Sequence, residues 1–224
     1  MINRSKVLEF FDADEVREDI NIVGCGAIGS HIAEQLIRMG VSKIHLWDFD
    51  NVEAHNITNQ MFILEDIGMS KVEAVERYLK AINPEVNVIK HEKGLQEPFV
   101  LNGHIFLCVD NIELRKKIVT ANRFNPNCKC FMDFRMRLTD AQHYMAVTRD
   151  QDKVKALLET MNFTHEEATS ATPKSACGTE LSVIFTVKAI TACGIANWVN
   201  WILGKKYQRM VLVDMNFLAI DTIE

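Results

Sequence analysis

Short apolar runs alternate with amphipathic stretches through the first two thirds of the chain. Ile20–Gly24 is an apolar run that ends in glycine, and Ile28, Ile32 and Leu36 then recur on one face of a helix. The order of strand then helix repeats, which predicts a largely parallel sheet with helices on both faces. Further strands are predicted at Lys43–Trp47, Glu85–Lys90, His104–Val109, Lys129–Phe134 and His143–Thr148.

The last third of the chain follows a different pattern. Residues 150–178 are mostly polar and rich in Thr, Glu and Lys, which predicts a mobile crossover segment. A long apolar helix is predicted over Thr179–Leu203. After it, Arg209–Val213 and Phe217–Ile220 predict a pair of antiparallel edge strands.

Composition and charge narrow the class of protein. The 224 residues are 48% hydrophobic and 25% charged, as expected for one globular domain, and the net charge of −5 argues against nucleic acid as a partner. Met1–Phe11 has no apolar core typical of a signal peptide. Ala189–Leu203 is uncharged but shorter than the roughly 20 residues of a membrane span. We therefore expect a cytoplasmic protein, outside the membrane, whose apolar helix is buried or forms a homodimer interface.

A glycine-rich loop joins the first predicted strand to the first predicted helix. In a G-x-G-x-x-G loop the first glycine permits a tight turn, the second lets a phosphate approach the backbone, and the third lets the helix pack on the strand. Asp48 ends the next strand, about 20 residues further on, where an acid typically holds ribose hydroxyls. This pattern predicts nucleotide binding. The loop consists of Gly24, Cys25, Gly26, Ala27, Ile28 and Gly29.

Two charged residues favour ATP over a nicotinamide cofactor. Lys71 lies at the start of a predicted helix that Ser70 caps, where its ammonium group can meet phosphate charge. Asp110 follows the strand His104–Val109, where a carboxylate can hold a Mg²⁺ ion that bridges phosphates. Hydride transfer requires neither residue, so the pair predicts an ATP and magnesium site.

Other polar residues follow the glycine loop in a fixed order. They are Asp48, Asp50, Val52, Asn56, Gln60, Asp66, Gly68, Lys71, Ile82-Asn83-Pro84 and Asp110-Asn111. With the glycine loop, this order resembles that of the HesA/MoeB/ThiF adenylyltransferases, which include the ubiquitin-activating enzymes. The resemblance covers about Ile20 to Asp133. It implies that ATP adenylates the C-terminal carboxylate of a small ubiquitin-like or sulfur-carrier protein of β-grasp type, with release of pyrophosphate.

The resemblance also implies roles for individual residues. The glycine loop and Asp48 would bind adenosine and its ribose, Asn56 and Lys71 would face the phosphates, and Asp110 would position Mg²⁺. The residues expected to bind the nucleotide, besides the loop, are Asp48, Asp50, Asn56, Asn59, Gln60, Lys71, Asp110, Asn111 and Arg4.

The chain departs from the family pattern at two places. Asn59 stands where the family usually has an arginine that contacts the triphosphate, so one positive charge is missing. Arg4 is a candidate replacement, since the family often supplies an N-terminal arginine from a partner subunit. Cys128 and Cys130 form the one close cysteine pair, whereas a structural zinc site needs four ligands. We therefore expect no zinc.

A catalytic cysteine would allow transfer of the acyl group after adenylation. Cys177 is the best candidate because it follows the polar segment and precedes the long apolar helix, and Lys174 is nearby. We expect the cysteines at 25, 108, 130 and 193 to be core residues. Arg135 and Arg137 follow the fifth strand and are interpreted as a solvated strand face, with attraction of an acidic partner or of pyrophosphate as the alternative.

The whole chain, 1–224, is accordingly expected to be one Rossmann-like domain, with a nucleotide-binding core over about 1–149 and the C-terminal helix and strands over about 179–224. Three other functions remain open on the sequence. They are a related dehydratase that adenylates a carboxylate on a tRNA base, an NAD-dependent oxidoreductase that uses the glycine loop and Asp48, and a non-catalytic subunit of an activating complex.

Overall fold

A single mixed sheet organises the fold. The structure, a computed structural model, describes residues 2–164, 166–167, 170, 172–174 and 181–224. Within these residues eight strands form one sheet in the order β3–β2–β1–β4–β5–β6–β7–β8. The strands are β1 Ile20–Val23, β2 Lys43–Trp47, β3 Asn87–His91, β4 Gly103–Leu107, β5 Cys128–Arg137, β6 Asp140–Val147, β7 Met210–Asp214 and β8 Ala219–Ile223.

The direction of the strands changes at β5. Strands β1 to β5 run parallel, whereas β6, β7 and β8 pair antiparallel beyond β5. The parallel part is doubly wound, because β2 and β3 extend the sheet to one side of β1, and β4 and β5 extend it to the other. A crevice is expected where the winding reverses, at the carboxyl ends of β1 and β4. The predicted mostly parallel sheet with antiparallel edge strands is confirmed.

Helices cover both faces of the sheet. Helices α1, α2 and α5 pack on one face around the buried residues Leu36, Leu79 and Trp198. Helices α3 and α4 pack on the other face around Ile118 and Leu157. The helices are α1 Ala27–Arg38, α2 Lys71–Ile82, α3 Ile112–Asn122, α4 Gln151–Glu159 and α5 Ile184–Ile202, where α5 denotes the long C-terminal helix.

The local signals for two helix boundaries act as the sequence predicts. Gly40 ends α1 with a φ of +102°, which glycine adopts without steric cost. Ser70 precedes α2, and its hydroxyl accepts a hydrogen bond from the backbone N–H of Glu73 at 3.3 Å. These caps fix where α1 meets the connection to β2 and where α2 begins after the long loop that follows β2.

The polar segment differs from its prediction. Residues 151–159 form the regular helix α4, with Val154 and Leu157 buried against the sheet, so a mobile segment that begins at residue 150 is wrong for this part. The apolar positions 154, 157 and 161 follow helical spacing, but the many charged residues around them concealed the stripe. Helix α5 begins at Ile184 rather than near Thr179, and Thr179 itself lies outside the described residues.

Over the ranges that the structure describes, none of the helices has the length and apolar character required to cross a membrane.

Candidate functional site

The three glycines of the loop between β1 and α1 meet different surroundings. Gly24 has a φ of +97°, and a Cβ there would lie 2.7 Å from the backbone nitrogen of Val109 on the neighbouring strand connection. A Cβ on Gly29 would lie 1.8 Å from the carbonyl oxygen of Gly24, so α1 packs directly on the loop. At Gly26 the nearest atom would be Oε1 of Gln60, at 3.9 Å. The second glycine therefore leaves open space for a ligand beside the backbone.

Asp48 ties the end of β2 to the glycine loop. Its carboxylate accepts backbone hydrogen bonds from Cys25 at 2.6 Å and from Asp50 at 2.9 Å. Burial raises the pKa of this carboxyl group, and the two N–H donors act against that shift. Asp48 thus lies beside the loop, as the sequence predicts. Its contact with a ribose stays a prediction.

Lys71 forms an ion pair next to this loop. The residue opens α2, and its Nζ lies 2.8 Å from Oδ2 of Asp50. The lysine side chain is only 11% exposed, whereas that of Asp50 is half exposed. The structure therefore brings Lys71, Asp50 and Asp48 together on the β2 side of the glycine loop.

A cleft of about 640 Å³ opens at the carboxyl ends of β1 and β4, beside the second half of β5. It lies where the winding of the sheet reverses, which is the usual ligand position in this architecture. Asp110 is exposed at the cleft and makes no ion pair with another described residue. Asn111 caps α3 by accepting a hydrogen bond from the N–H of Leu114 at 2.8 Å. The predicted site residues that line the cleft are Ala27, Ile28, Asn56, Asn59, Gln60 and Asp110.

The amide side chains of the cleft are held in different ways. Oδ1 of the buried Asn56 accepts the backbone N–H of Glu53 at 2.9 Å. Nδ2 of Asn59 donates to the hydroxyl of Ser182 at 2.7 Å, so this position contributes a hydrogen bond but no charge. Oε1 of Gln60 is buried and has no hydrogen-bond partner among the described residues. An unpaired buried oxygen next to Gly26 is suited to a hydroxyl or amino group of a ligand.

Two arginines share a buried carboxylate in the wall of the cleft, and the sequence reasoning missed this arrangement. Arg115 and Arg135 both pair with Asp133, whose side chain is fully buried. The interpretation of Arg135 as a solvated residue is wrong, while Arg137 is 55% exposed and pairs with Asp140. The sequence feature that indicates this cluster is Asp133, because an acidic residue within an apolar strand needs a cationic partner.

Arg4 does not reach the cleft of its own chain. Its guanidinium pairs with Asp14 at 2.6 Å and with Asp12 at 3.5 Å. The side chain lies against Gly40, at the carboxyl end of α1, whereas the cleft is at the amino end, about 18 Å away along a helix of this length. A contribution of Arg4 to the site of a partner subunit stays a prediction.

Four of the described cysteines are buried, Cys193 is half-buried, and Cys177 lies outside the described residues. Burial raises the pKa of the Cys25, Cys108 and Cys130 thiols, and the same cause raises the pKa of Cys128 to about 11. These thiols stay protonated at neutral pH. No three metal-binding side chains cluster within the described parts of the chain, and the expectation of no zinc stays a prediction.

A family model matches nearly the whole chain. The model of the ThiF family covers residues 13–222. The chain belongs to the ThiF family. The family resemblance expected from the sequence is therefore confirmed, and it extends through α5 and the terminal strands rather than ending near Asp133.

Curated relatives align with about half of this ThiF-family chain. Ubiquitin-like modifier-activating enzyme 5 of Drosophila willistoni is 34% identical over 128 residues, which are 49% of this chain and 32% of the relative. The enzyme of the same name from Rattus norvegicus is 38% identical over 119 residues, 46% of this chain and 30% of the relative. The chain thus spans about a third of the length of these curated relatives.

Solved structures match a larger part of the chain. E. coli MccB with ATP superposes with a TM-score of 0.70 at 19% identity, over 94% of this chain and 64% of that one. PaaA superposes with a TM-score of 0.67 at 15% identity, over 95% of this chain and 65% of that one. At these identities the likeness establishes the fold alone, and it confirms the predicted α/β architecture.

Proposed function

We propose that this ThiF-family protein uses ATP and Mg²⁺ to adenylate the C-terminal carboxylate of a small ubiquitin-like or sulfur-carrier protein. The observation that carries the proposal is the cleft at the carboxyl ends of β1 and β4 in a chain that the ThiF model matches over residues 13–222. Two comparisons support the proposal. The relatives are ubiquitin-like modifier-activating enzymes, and the structure of MccB has been solved with ATP.

The amino end of α1 is suited to the phosphates of the nucleotide. The first N–H groups of a helix have no partner within it, and its dipole attracts anions. The open space at Gly26 allows a phosphate to approach these groups. Lys71 adds a positive charge beside the loop, and a phosphate would compete with Asp50 for its ammonium group.

Asp110 is the residue suited to magnesium. Its carboxylate is exposed at the cleft and free of ion pairs with other described residues. A single carboxylate fits Mg²⁺, which is commonly held by one or two carboxylates together with phosphates and water. When bound, the ion supplies charge neutralisation at the phosphate oxygens.

The adenylation step is a substitution at phosphorus. A carboxylate oxygen of the carrier attacks the α-phosphorus, the bond from that phosphorus to the bridging oxygen of the β-phosphate breaks, and pyrophosphate leaves with the electron pair. The residues of the chain contribute position and charge: α1 and Lys71 hold the phosphates, and the cleft holds the tail close to them. Loss of one such charge costs on the order of 10²–10³ in rate.

A second step at Cys177 is part of the proposal. The Cys177 thiolate would attack the carbonyl carbon of the acyl adenylate, and AMP would leave as a thioester forms. Replacement of Cys177 by alanine is expected to abolish a thioester that is sensitive to reducing agents, while pyrophosphate exchange continues. A thioester that persists in Cys177→Ala would remove this residue from the mechanism.

The exchange of labelled pyrophosphate into ATP tests the adenylation directly. We expect exchange in the presence of a small carrier that ends in glycine, and a loss of about 10²-fold or more in Lys71→Ala. Lys80→Ala is the matched control, because Lys80 lies in the same helix and pairs with Glu76 on the surface. Equal exchange in both variants would contradict the role of Lys71.

The neutral side chain of Asn59 favours a second candidate function. In this function the protein is a non-catalytic subunit that binds a carrier without turning over ATP. Its side chain donates to Ser182 and brings no positive charge to the cleft. Carrier binding without pyrophosphate exchange would favour this function. Binding of NAD without binding of ATP would instead favour an oxidoreductase.

We also propose that the protein forms a homodimer. Most apolar residues of α5 are buried within the chain, but Phe185, Ala192 and Ala196 are exposed along one side of this helix. A dimer that uses this side would become monomeric in Ala192→Glu, as judged by light scattering. A dimer of unchanged stability in this variant would place the interface elsewhere.

A further inference from the structure

One cluster of charged side chains in the wall of the cleft contains more positive than negative charge. Asp133 is fully buried on β5, and among the described residues no other carboxylate lies within ion-pair distance of Arg115 or Arg135. Arg115 reaches it from α3, with a side chain 7% exposed, and Arg135 reaches it from β5, with a side chain 15% exposed. These three residues, the Arg–Asp–Arg cluster, carry a net charge of about +1 in a poorly hydrated wall.

Arg115 is held mainly by backbone carbonyl groups of the chain. Besides Asp133, its guanidinium donates to the carbonyl oxygens of Leu107 at 3.3 Å and Phe134 at 2.6 Å, and Nε donates to that of Val109 at 2.8 Å. These acceptors lie on β4, β5 and the start of the α3 connection. Arg115 therefore fixes the carboxyl ends of the two strands and is positioned as a structural residue.

Arg135 is held differently. Nε donates to Asp133 at 2.8 Å, and the two terminal nitrogens donate to the carbonyl and the hydroxyl of Thr160 at 2.9 and 2.8 Å. The guanidinium lies over the ring of Tyr144 at 4.7 Å, which orients its plane. One hydrogen on Nη1 has no partner among the described residues. Arg135 lines the cleft, so this donor and the excess charge are available at its surface.

The other described residues that line the cleft form no ion pair with these arginines. Asp110 is the carboxylate among the lining residues, and it lies beyond ion-pair distance from both guanidinium groups. The remaining polar side chains of the lining, such as Asn56, Asn59 and Gln60, are uncharged. A buried excess charge of this kind is stabilised by an anion that binds against it.

We propose that Arg135 binds an oxyanionic group of the substrate and supplies the positive charge that Asn59 does not. The inference rests on the proposed function, because it assigns a second cation to the same cleft. The oxyanion is either the C-terminal carboxylate of the carrier tail or the polyphosphate of ATP. Both groups accept hydrogen bonds from a guanidinium, and such charge-assisted bonds are about twice as strong as neutral ones.

Equilibrium binding to the intact protein tests the inference without requiring turnover. The probes are MgATP, pyrophosphate, and a short synthetic peptide that ends in Gly-Gly, prepared both as the free acid and as the amide. Arg135→Met removes the charge but keeps a side chain that packs on Tyr144. Arg135→Lys keeps the charge. Arg137→Met is the matched control, since it removes an arginine from the same strand outside the cleft.

Two results support the inference and identify the oxyanion. If Arg135 binds the tail, Arg135→Met weakens binding of the peptide acid by about 10- to 100-fold, to the level of the amide, and leaves MgATP binding unchanged. If it binds the polyphosphate, the same variant weakens MgATP and pyrophosphate by this factor and leaves the peptide unchanged. Arg135→Lys restores most of the loss in either case, and Arg137→Met changes neither.

A purely structural role predicts a different outcome. Arg135→Met would then lower the midpoint of thermal unfolding while the affinities for all probes stay within about twofold of the unaltered protein, and that result would overturn the inference. If Arg135→Met does not fold, Arg135→Gln takes its place, compared with Arg135→Lys. The proposed function is judged separately, because absence of pyrophosphate exchange in the unaltered protein would contradict adenylation and leave this binding result standing.

Discussion

At the scale of single residues, two glycines of the loop between β1 and α1 have different roles, one in folding and one in ligand binding. Gly29 has no room for a side chain, because α1 packs on the carbonyl oxygen of Gly24. Gly26 has a negative φ, and a Cβ there would face open space, so no steric contact within the chain excludes a side chain at this position. The absence of a side chain at Gly26 is therefore best explained by a ligand that approaches the backbone.

Alanine at these two positions is expected to have opposite effects. Gly29→Ala should lower the free energy of unfolding by about 1–3 kcal/mol or more, through overpacking of α1 against the loop. Gly26→Ala should leave that free energy within about 0.5 kcal/mol and weaken MgATP binding by at least about tenfold. Urea unfolding and titration calorimetry measure the two effects. Unchanged MgATP affinity in Gly26→Ala would contradict the placement of the phosphates at this loop.

At the scale of elements, the contact between α5 and β5 sets one wall of the cleft. A Cβ on Gly194 of α5 would lie 2.1 Å from Cε1 of Phe134, whose ring is buried on β5. Phe134 also lines the cleft, so the close approach of the helix fixes the position of a residue at the site.

Gly194→Ala is therefore expected to destabilise the protein by about 1–3 kcal/mol, because the helix and the ring must move apart. Ala192→Ser on the exposed side of the same helix is the control and should stay within about 0.5 kcal/mol of the unaltered protein. Urea unfolding measures both. A variant at Gly194 that is as stable as the control would show that α5 does not press on Phe134.

The helices and strands could be predicted where residues close together in the sequence determine them. The strand–helix alternation, the glycine loop and the cap at Ser70 depend on neighbouring residues, so the sequence predicts them. Helix α4 was missed because charged residues conceal the stripe that contains Val154 and Leu157. The pairing of Asp133 with Arg115 joins residues on different elements, and no local pattern encodes that contact.

At the scale of the whole molecule, buried histidines make stability depend on pH. Burial lowers the pKa of His31, His104 and His143 to about 4. In the unfolded chain these groups have a pKa of about 6.5, so between the two values the unfolded chain binds more protons. The free energy of unfolding is therefore highest above about pH 6.5 and falls as the pH decreases toward about 4.

The contribution is on the order of 1–3 kcal/mol for each histidine across this range. Urea unfolding between about pH 7 and pH 5 measures it, above the range in which most carboxylates titrate. His143→Gln should flatten the pH dependence whatever its stability at neutral pH, because this substitution removes a buried imidazole. A slope that stays the same in His143→Gln would contradict the neutral, buried state of His143.

The central claim is that the cleft at the carboxyl ends of β1 and β4 binds ATP, and a crystal structure with MgATP tests it most directly. We expect the phosphates at the amino end of α1 beside Gly26, the metal next to Asp110, and Nζ of Lys71 directed at a phosphate oxygen. Nucleotide bound elsewhere on the molecule, or an empty cleft at saturating MgATP with Lys71 still paired to Asp50, would contradict the account.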